Sequence, residues 1–470
     1  MRMYISAYGS ADEFSADHVF MSNLNNKKVL LMGLGILGGG VATARFLVEK
    51  GAILTVTDMK DEKFLAPSIA KLTDLKHRIT FVLGEHREQD FLDNEIIVIN
   101  PDVSIANKFV QFAIKNGKQI ENELTLFYEF CPSRKIVAVT GTRGKTTTTN
   151  WVSYFLSQHD SNTVLAGNST DNPFLASILK CDDNSFVAME VPSYQLELLG
   201  EKNDLYAPRV ALITNIYQDH LARHGSMEEY TKTKANIFKS QSNSDTLILN
   251  KDNKWTKFLL GLKPESKVEF FSKDMTFDYL DRASFVEKWG EHNLLNLYAA
   301  ILAVKTMGVD IETIKKSIPN LPQIKFREEK LFDDGKLQIY NDTAATSPEA
   351  TVAALERFDP QNSNVLLISG GTDRELEFND WAKIVGEKLN PENLILLSGS
   401  ATEKMKKALN WTKYNEFETL DECLKAAQKR AAELKSGTKI LFSPSSKSFE
   451  KFKNEYDRGE KFNELVGQIK

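Results

Sequence analysis

KIVAVTGTRGKTTTTNWVSYFL, Lys135 to Leu156, decides how this chain is read. The apolar run Ile136 to Val139 meets a glycine-bounded turn, Gly141-Thr142-Arg143-Gly144, and Lys145 and Thr146 then open helical text. Strand, glycine loop and helix in that order are the context a phosphate-binding loop requires. The glycines let the backbone curl so that several N–H groups and the helix N-terminus face one anion. Lys145 adds a mobile positive charge, and Thr146 offers a hydroxyl suited to Mg²⁺. Without the Lys-Thr pair, the same letters would read as a glycine turn before an ordinary capped helix.

Working outward, the text before and after repeats the strand–turn–helix theme. From Lys28, KVLLMGLG, ILGGGVATARFLVEKGA and ILTVTD form one βαβ unit ending at Asp58, and IIVIN (Ile96 to Asn100) and a helix from Asn107 to Asn116 follow. After the loop come the strand-like SFVAMEV and RVALITNI. Beyond the turn-rich IPNLPQ (Ile318 to Gln323), LQIYND, NVLLISGG, NLILLSG and TKILFSP alternate with amphipathic helices at Ala401 to Ala408 and Leu420 to Leu434. The expected architecture is α/β in three domains: a Rossmann-like domain over 1–120, a P-loop ATPase-type domain with a parallel sheet over 121–323, and a Rossmann-like domain over 324–470. The length of 470 residues agrees, at roughly 100–200 residues per domain.

Composition narrows the partners. Hydrophobic residues make up 42% and charged residues 26%, which suits a globular chain, and a formal net charge of -5 with dispersed Lys and Arg gives no footprint for nucleic acid or an acidic membrane. Cys131, Cys181 and Cys423 lie far apart in sequence without CxxC spacing, so neither a disulfide framework nor a zinc cluster is expected. The first two dozen residues do not read as a signal peptide, and no stretch approaches the roughly 18 apolar residues of a membrane span. A cytoplasmic protein is expected.

Two residues, rather than four, separate the glycines of the loop. This TGTRGKT form resembles the Mur ligases and folylpolyglutamate synthases, and motifs from Lys28 to Phe462 extend the likeness to the Mur ligases in particular. The resemblance implies an ADP-forming amide ligase of peptidoglycan synthesis that adds D-glutamate to UDP-N-acetylmuramoyl-L-alanine through an acyl phosphate, using ATP and two Mg²⁺, as a monomer. It assigns ATP to Gly141, Thr142, Arg143, Gly144, Lys145, Thr146 and Thr147, with Asn293 of GEHNLLNLYAA at the adenine, and Arg327 and Asp342 on the nucleotide. Glu190 of EVPSYQLE, His220 of ITNIYQDHLARHG and Lys234, the last as a carbamate, join Thr146 as the expected metal ligands. Lys145, Glu190, His220 and Lys234 form the expected catalytic set.

Read alone, Glu190 is a solvated strand-end acid and Lys234 an exposed helix lysine. The cluster Gly33-Leu34-Gly35-Ile36-Leu37-Gly38, with Asp58 about 20 residues on, satisfies a dinucleotide fingerprint and read alone favours a nicotinamide dehydrogenase. An ATP loop has no place in such an enzyme. The resemblance instead gives Gly35, Ile36, Leu37 and Asp58 to the uridine diphosphate, along with Asn168 and His220. It gives Thr346, Arg374 and Ser448 to the amino acid, donors suited to both ends of a dianion. Ala344 replaces a lysine of the family pattern, Phe326 a histidine and Pro192 a serine. Ala344 and Phe326 keep a ligase for L-glutamate or another amino acid as the alternative. A catalytically weakened binding homologue comes after it, and a folylpolyglutamate synthase, which lacks a UDP-binding domain, is weaker.

Overall fold

The computed structural model describes residues 23–167, 171–201, 207–358, 363–373, 375–434 and 437–469. Three sheets carry the chain. The first holds β1 (Lys28–Met32), β2 (Ile53–Asp58), β3 (Ile79–Leu83), β4 (Ile96–Ile99) and β5 (Gln119–Glu121) in the order β3-β2-β1-β4-β5, all parallel. The domain boundary expected near Ile120 thus falls inside β5. In this order the chain reverses direction across the sheet between β1 and β4, the place where open α/β sheets receive ligands.

The second sheet contains β6 (Ile136–Thr140), β7 (Thr163–Gly167), β8 (Phe186–Glu190), β9 (Val210–Ile213), β10 (Thr246–Asn250) and β11 (Lys267–Phe271), in the order β11-β10-β9-β6-β8-β7. Its central strand is IVAVT, buried at every position, as a parallel strand covered on both faces must be. Because β6, β8 and β9 run parallel, their C-terminal ends lie on one edge. That edge carries the loop after Thr140, Glu190 and the turn after Ile213.

In the third sheet, β12 (Glu329–Asp333) pairs antiparallel with β13 (Leu337–Asn341). Then come β17 (Thr438–Phe442), β14 (Asn364–Gly370), β15 (Leu394–Leu397) and β16 (Asn415–Phe417), all parallel. The α/β class expected from sequence is observed. The chain forms two compact units: one runs to Lys145 and resumes over Asp160–Phe270, and the other takes Thr146–His159 and the chain from Phe271 onward. Among the described residues, no helix is long and apolar enough to cross a membrane.

Candidate active site

The loop after β6 is shaped from outside by a Thr-Asn pair at the end of β9. Thr142 N–H donates to the Asn215 carbonyl (2.9 Å) and Arg143 N–H to Asn215 Oδ1 (2.9 Å), while Thr214 Oγ1 donates back to the Arg143 carbonyl (2.6 Å). Gly141 sits at φ +143, where a Cβ would lie 2.0 Å from Thr214 Oγ1, so the loop needs glycine both for conformation and for room. Lys145 folds over the curl and donates to the carbonyls of Gly141 and Thr142, each at 3.1 Å. The helix Lys145–His159 begins there, and the first N–H groups of a helix have no acceptors within it.

Lys234 is where burial departs most from what a lysine alone suggests. It lies on the helix Met227–Ala235, which starts where it does because Ser226 accepts from Glu229 N–H and Glu228 and Glu229 occupy the first turn. Near the C-terminal end of that helix the side chain turns inward and is only 1% exposed. Its amine donates to the Gly141 carbonyl at 2.9 Å, the same oxygen that Lys145 uses, and lies 4.7 Å from the Tyr230 ring centre. Burial, and then the charge of Lys145, hold the pKa of this amine well below its ordinary value, although Asp219 and Glu190 pull it upward. Glu190 is half-buried at the end of β8. His220 adopts φ +53 and stays exposed, with Nε2 3.6 Å from Asp219 Oδ2. Four candidates therefore gather around the loop: Lys145, Lys234, Glu190 and, unassigned from sequence, Asp219. His220 sits beside Asp219 nearer to solvent.

The other unit carries its own cluster. Phe326 (φ +65) and Glu328 (φ +47) are both left-handed, which bends the backbone sharply around Arg327. Arg327 Nη2 donates to Thr146 Oγ1 at 3.0 Å. Glu328 forms an ion pair with Arg357 and lies 3.5 Å from His292, and its N–H donates to Asp342 Oδ1. Asp342 is buried and also accepts from Ser443 Oγ (2.8 Å); burial and then Glu328 raise its pKa well above the usual carboxylate range. Asn293 is buried and bonded to the Trp289 carbonyl and to Asn296, which in turn accepts from Thr148. Phe326 fills its place beneath Gly459, where a Cβ would come within 2.6 Å of the ring.

In the first sheet, Asp58 is committed to the glycine turn. Its Oδ2 accepts from the N–H groups of Leu34 (2.8 Å) and Gly35 (3.1 Å), and Oδ1 accepts from Lys60 N–H. The glycine that the packing demands is Gly40, whose added Cβ would lie 2.1 Å from the Leu34 carbonyl. Ile36 and Leu37 are exposed at the turn.

Of the expected amino-acid contacts, Thr346 is half-buried in the turn after β13. Ser448 is buried, and its hydroxyl has no hydrogen-bond partner among the described residues. Asn168 and Arg374 lie outside the described residues. Sequence reasoning passed over Thr214, Asn215, Asp219, Glu328 and Arg458. A Thr-Asn pair just past an apolar parallel strand was the available signal for the first two, whereas Arg458 looks like any arginine in the charged text EYDRGEKF.

Among the described residues, no three His, Cys, Asp or Glu side chains gather as a closed metal cage. Mg²⁺ does not ask for one, because it keeps waters and substrate phosphates and takes one or two carboxylates from protein. Glu190 beside a buried lysine suits that habit.

Residues 139–304 match the Mur ligase middle domain, and residues 27–122 match the N-terminal domain of MurD-like Mur ligases. The chain is 35% identical to UDP-N-acetylmuramoylalanine–D-glutamate ligase of Roseiflexus sp. (strain RS-1), over 94% of this chain and 99% of that protein. To the enzyme of the same name from Borreliella burgdorferi (strain ZS7) it is 34% identical, over 96% of this chain and 100% of the other. Among solved structures it is similar in fold to the UDP-N-acetylmuramate-alanine ligase MurC of Thermotoga maritima (TM-score 0.59, 18% identity, 94% of this chain and 100% of that one). MurF of Thermotoga maritima in complex with ADP is also similar (TM-score 0.53, 17% identity, 95% and 96%).

Proposed function

The chain belongs to the Mur ligase family, and from that premise we propose that it joins D-glutamate to the alanine carboxylate of UDP-N-acetylmuramoyl-L-alanine, converting ATP to ADP and phosphate in the cytoplasmic stage of peptidoglycan synthesis. The observation that carries this reading to particular residues is Lys234, buried against a carbonyl of the phosphate loop.

In the first half-reaction a carboxylate oxygen of the muramoyl-alanine attacks the γ-phosphorus, and ADP leaves. In the second, the amine of D-glutamate attacks the acyl carbon, the tetrahedral adduct expels phosphate, and the amine gives up a proton. Phosphoryl transfer of this kind asks for positioning and charge neutralisation more than covalent help. Lys145, already held over the loop by two carbonyls, takes the phosphoryl charge when it swings from them. Gly141, Thr142, Arg143, Gly144 and Thr147 supply the curl around the phosphates. Arg327 and Asp342 bear on the phosphates and ribose, and Asn293 on the adenine. Gly35, Ile36, Leu37, Asp58 and Asn168 serve the uridine-linked substrate. Thr346, Arg374 and Ser448 serve glutamate.

Burial disfavours the protonated form of this amine, and the neutral amine is the form that adds to CO₂: the nitrogen lone pair bonds carbon, a proton leaves the nitrogen, and the neutral amine becomes a carboxylate-like anion. As that carbamate, Lys234 with Glu190, His220 and Thr146 would hold two Mg²⁺. When bound, these ions neutralise phosphate oxygens. The protein works as a monomer on small molecules, without nucleic acid or membrane.

The test is phosphate release from purified protein with ATP, Mg²⁺ and UDP-N-acetylmuramoyl-L-alanine, in parallel with D-glutamate, L-glutamate and no amino acid. Release with D-glutamate alone is expected. Release with L-glutamate alone would overturn the amino-acid assignment, and silence in every tube would overturn the activity.

A further inference from the structure

Arg458, on the helix Glu455–Val466, is 0% exposed. Its Nε donates to Thr343 Oγ1 (2.9 Å), its Nη2 to the Thr343 carbonyl (2.9 Å), and its Nη1 to the carbonyls of Ser446 (3.1 Å) and Lys447 (3.0 Å). All four acceptors are uncharged. They take four of the five guanidinium N–H donors and offer the charge no counter-ion. Burial lowers the guanidinium pKa to about 9, and Glu455 is the acid whose field opposes that shift. Among the described residues Arg458 has no ion-pair partner, and a buried charge in that position is costly unless an anion comes to meet it.

The two backbone segments that Arg458 ties together identify the anion. Thr343 begins the turn that leads through Ala344 and Ala345 to Thr346. Ser446 and Lys447 lead directly to Ser448, and Ser445 at φ +60 bends that second turn. Ser448 provides an independent pointer, since the residue is only 2% exposed and its buried hydroxyl has no hydrogen-bond partner among the described residues. An orphaned donor beside an uncompensated cation is half of a carboxylate site. Ala344 brings no charge to this region, whereas Arg458 does.

We infer that Arg458 is a positioning residue that braces the Thr343 and Ser446–Lys447 turns and surrounds Ser448 with a positive field, so that the incoming amino acid is selected for a second carboxylate on its side chain. This rests on the ligase reading above and deepens it: the neutral members of the amino-acid class are excluded by charge, through a residue that need not touch the ligand.

Arg458→Met keeps the length and removes the charge, and Arg458→Lys keeps the charge without the forked bracing. The Met variant should raise KM for D-glutamate by about tenfold or more, with Lys intermediate. KM for ATP and for the muramoyl substrate should stay within about twofold. Acyl-phosphate formation, read as hydroxamate trapped by hydroxylamine without glutamate, should persist. An unchanged KM for D-glutamate would overturn the inference, as would a common rise in all three KM values, which is what a purely structural arginine predicts. If neither variant folds, the wild-type protein still decides. D-glutamine should compete with D-glutamate about 100-fold more weakly than D-glutamate itself binds, and equal competition overturns the inference. A wild-type protein that releases no phosphate with either glutamate refutes the ligase reading instead.

Discussion

Gly141→Ala should unfold the phosphate loop's geometry in a way that a second substitution partly repairs. The added methyl would sit 2.0 Å from Thr214 Oγ1 and 3.1 Å from the Asn215 carbonyl. Carbon–oxygen contacts settle near about 3.3 Å, so the first is about 1.3 Å too short. Thr214 has nowhere to retreat, being buried and bonded to the Arg143 carbonyl at 2.6 Å. Moving it forfeits that bond, about 1 kcal/mol, and the overpacking adds about 1–3 kcal/mol. Alanine at φ +143 adds about 1 kcal/mol more. The total of about 3–5 kcal/mol corresponds to a Tm about 10 °C lower, at about 2–4 °C per kcal/mol for a unit of this size. A loop displaced by about 1 Å should also lower kcat by about 100-fold. Thr214→Ala removes the offending oxygen at the cost of one bond. The double variant should therefore melt above Gly141→Ala alone, by about 3–8 °C, while remaining below wild type because the backbone strain persists. Differential scanning fluorimetry and the phosphate-release assay read both effects. If the double variant melts no higher than the single one, the steric argument is wrong; if Gly141→Ala is fully stable and active, the loop geometry is wrong.

Lys145→Met should lower ligation by about 10³-fold with Tm within about 2 °C, since the amine's present bonds are to loop carbonyls that water can satisfy. Asp58→Asn loses a charged acceptor for Leu34 and Gly35 N–H, so KM for the muramoyl nucleotide should rise about tenfold while KM for ATP holds, a split visible in steady-state kinetics. Incubation with ¹³C-bicarbonate should give a carbamate resonance that Lys234→Met lacks, and an identical spectrum from the variant would remove the carbamate from the reading. His224, half-buried against Ser193 with its pKa lowered by burial to about 4, is neutral in the fold and charged in the unfolded chain between the ordinary histidine value of 6.5 and 4. The unfolded state binds more protons there, so stability falls as pH drops through that window, and His224→Gln should flatten the decline of Tm between about pH 6.5 and 4 relative to wild type.

The parts of this molecule that were legible in the sequence are those where one local rule fixes the outcome. IVAVT followed by GTRGKT could only be a buried parallel strand feeding a glycine loop, and β6 with the helix Lys145–His159 stands there. GLGILGGG before a helix was equally plain, although the tightest glycine proved to be Gly40 rather than a member of the fingerprint triplet. What was hidden depends on which side of an element faces the fold. In TKTKA on the helix Met227–Ala235, Lys232 pairs with Glu228 and Glu229 at the surface while Lys234, two residues on, is buried; the letters are the same, and only the packing of that helix against the loop after β6 separates them. The same holds for Cys131 and Cys181, fifty positions apart in sequence, whose thiols meet in the fold. Arg458 is the extreme case. Its neighbours Glu460 and Lys461 are exposed and Glu455 and Asp457 half-buried, so the charged text around it predicts a surface residue. It lies inside because the two turns it braces present the carbonyls of Thr343, Ser446 and Lys447 at that depth, the last of them shared with Thr372 N–H, and buried carbonyls must be met. A charge drawn inward by backbone acceptors has no signature in the sequence. Its consequence, among the described residues a cation without an ion-pair partner near a hydroxyl without a hydrogen bond, is visible only once both turns are in place.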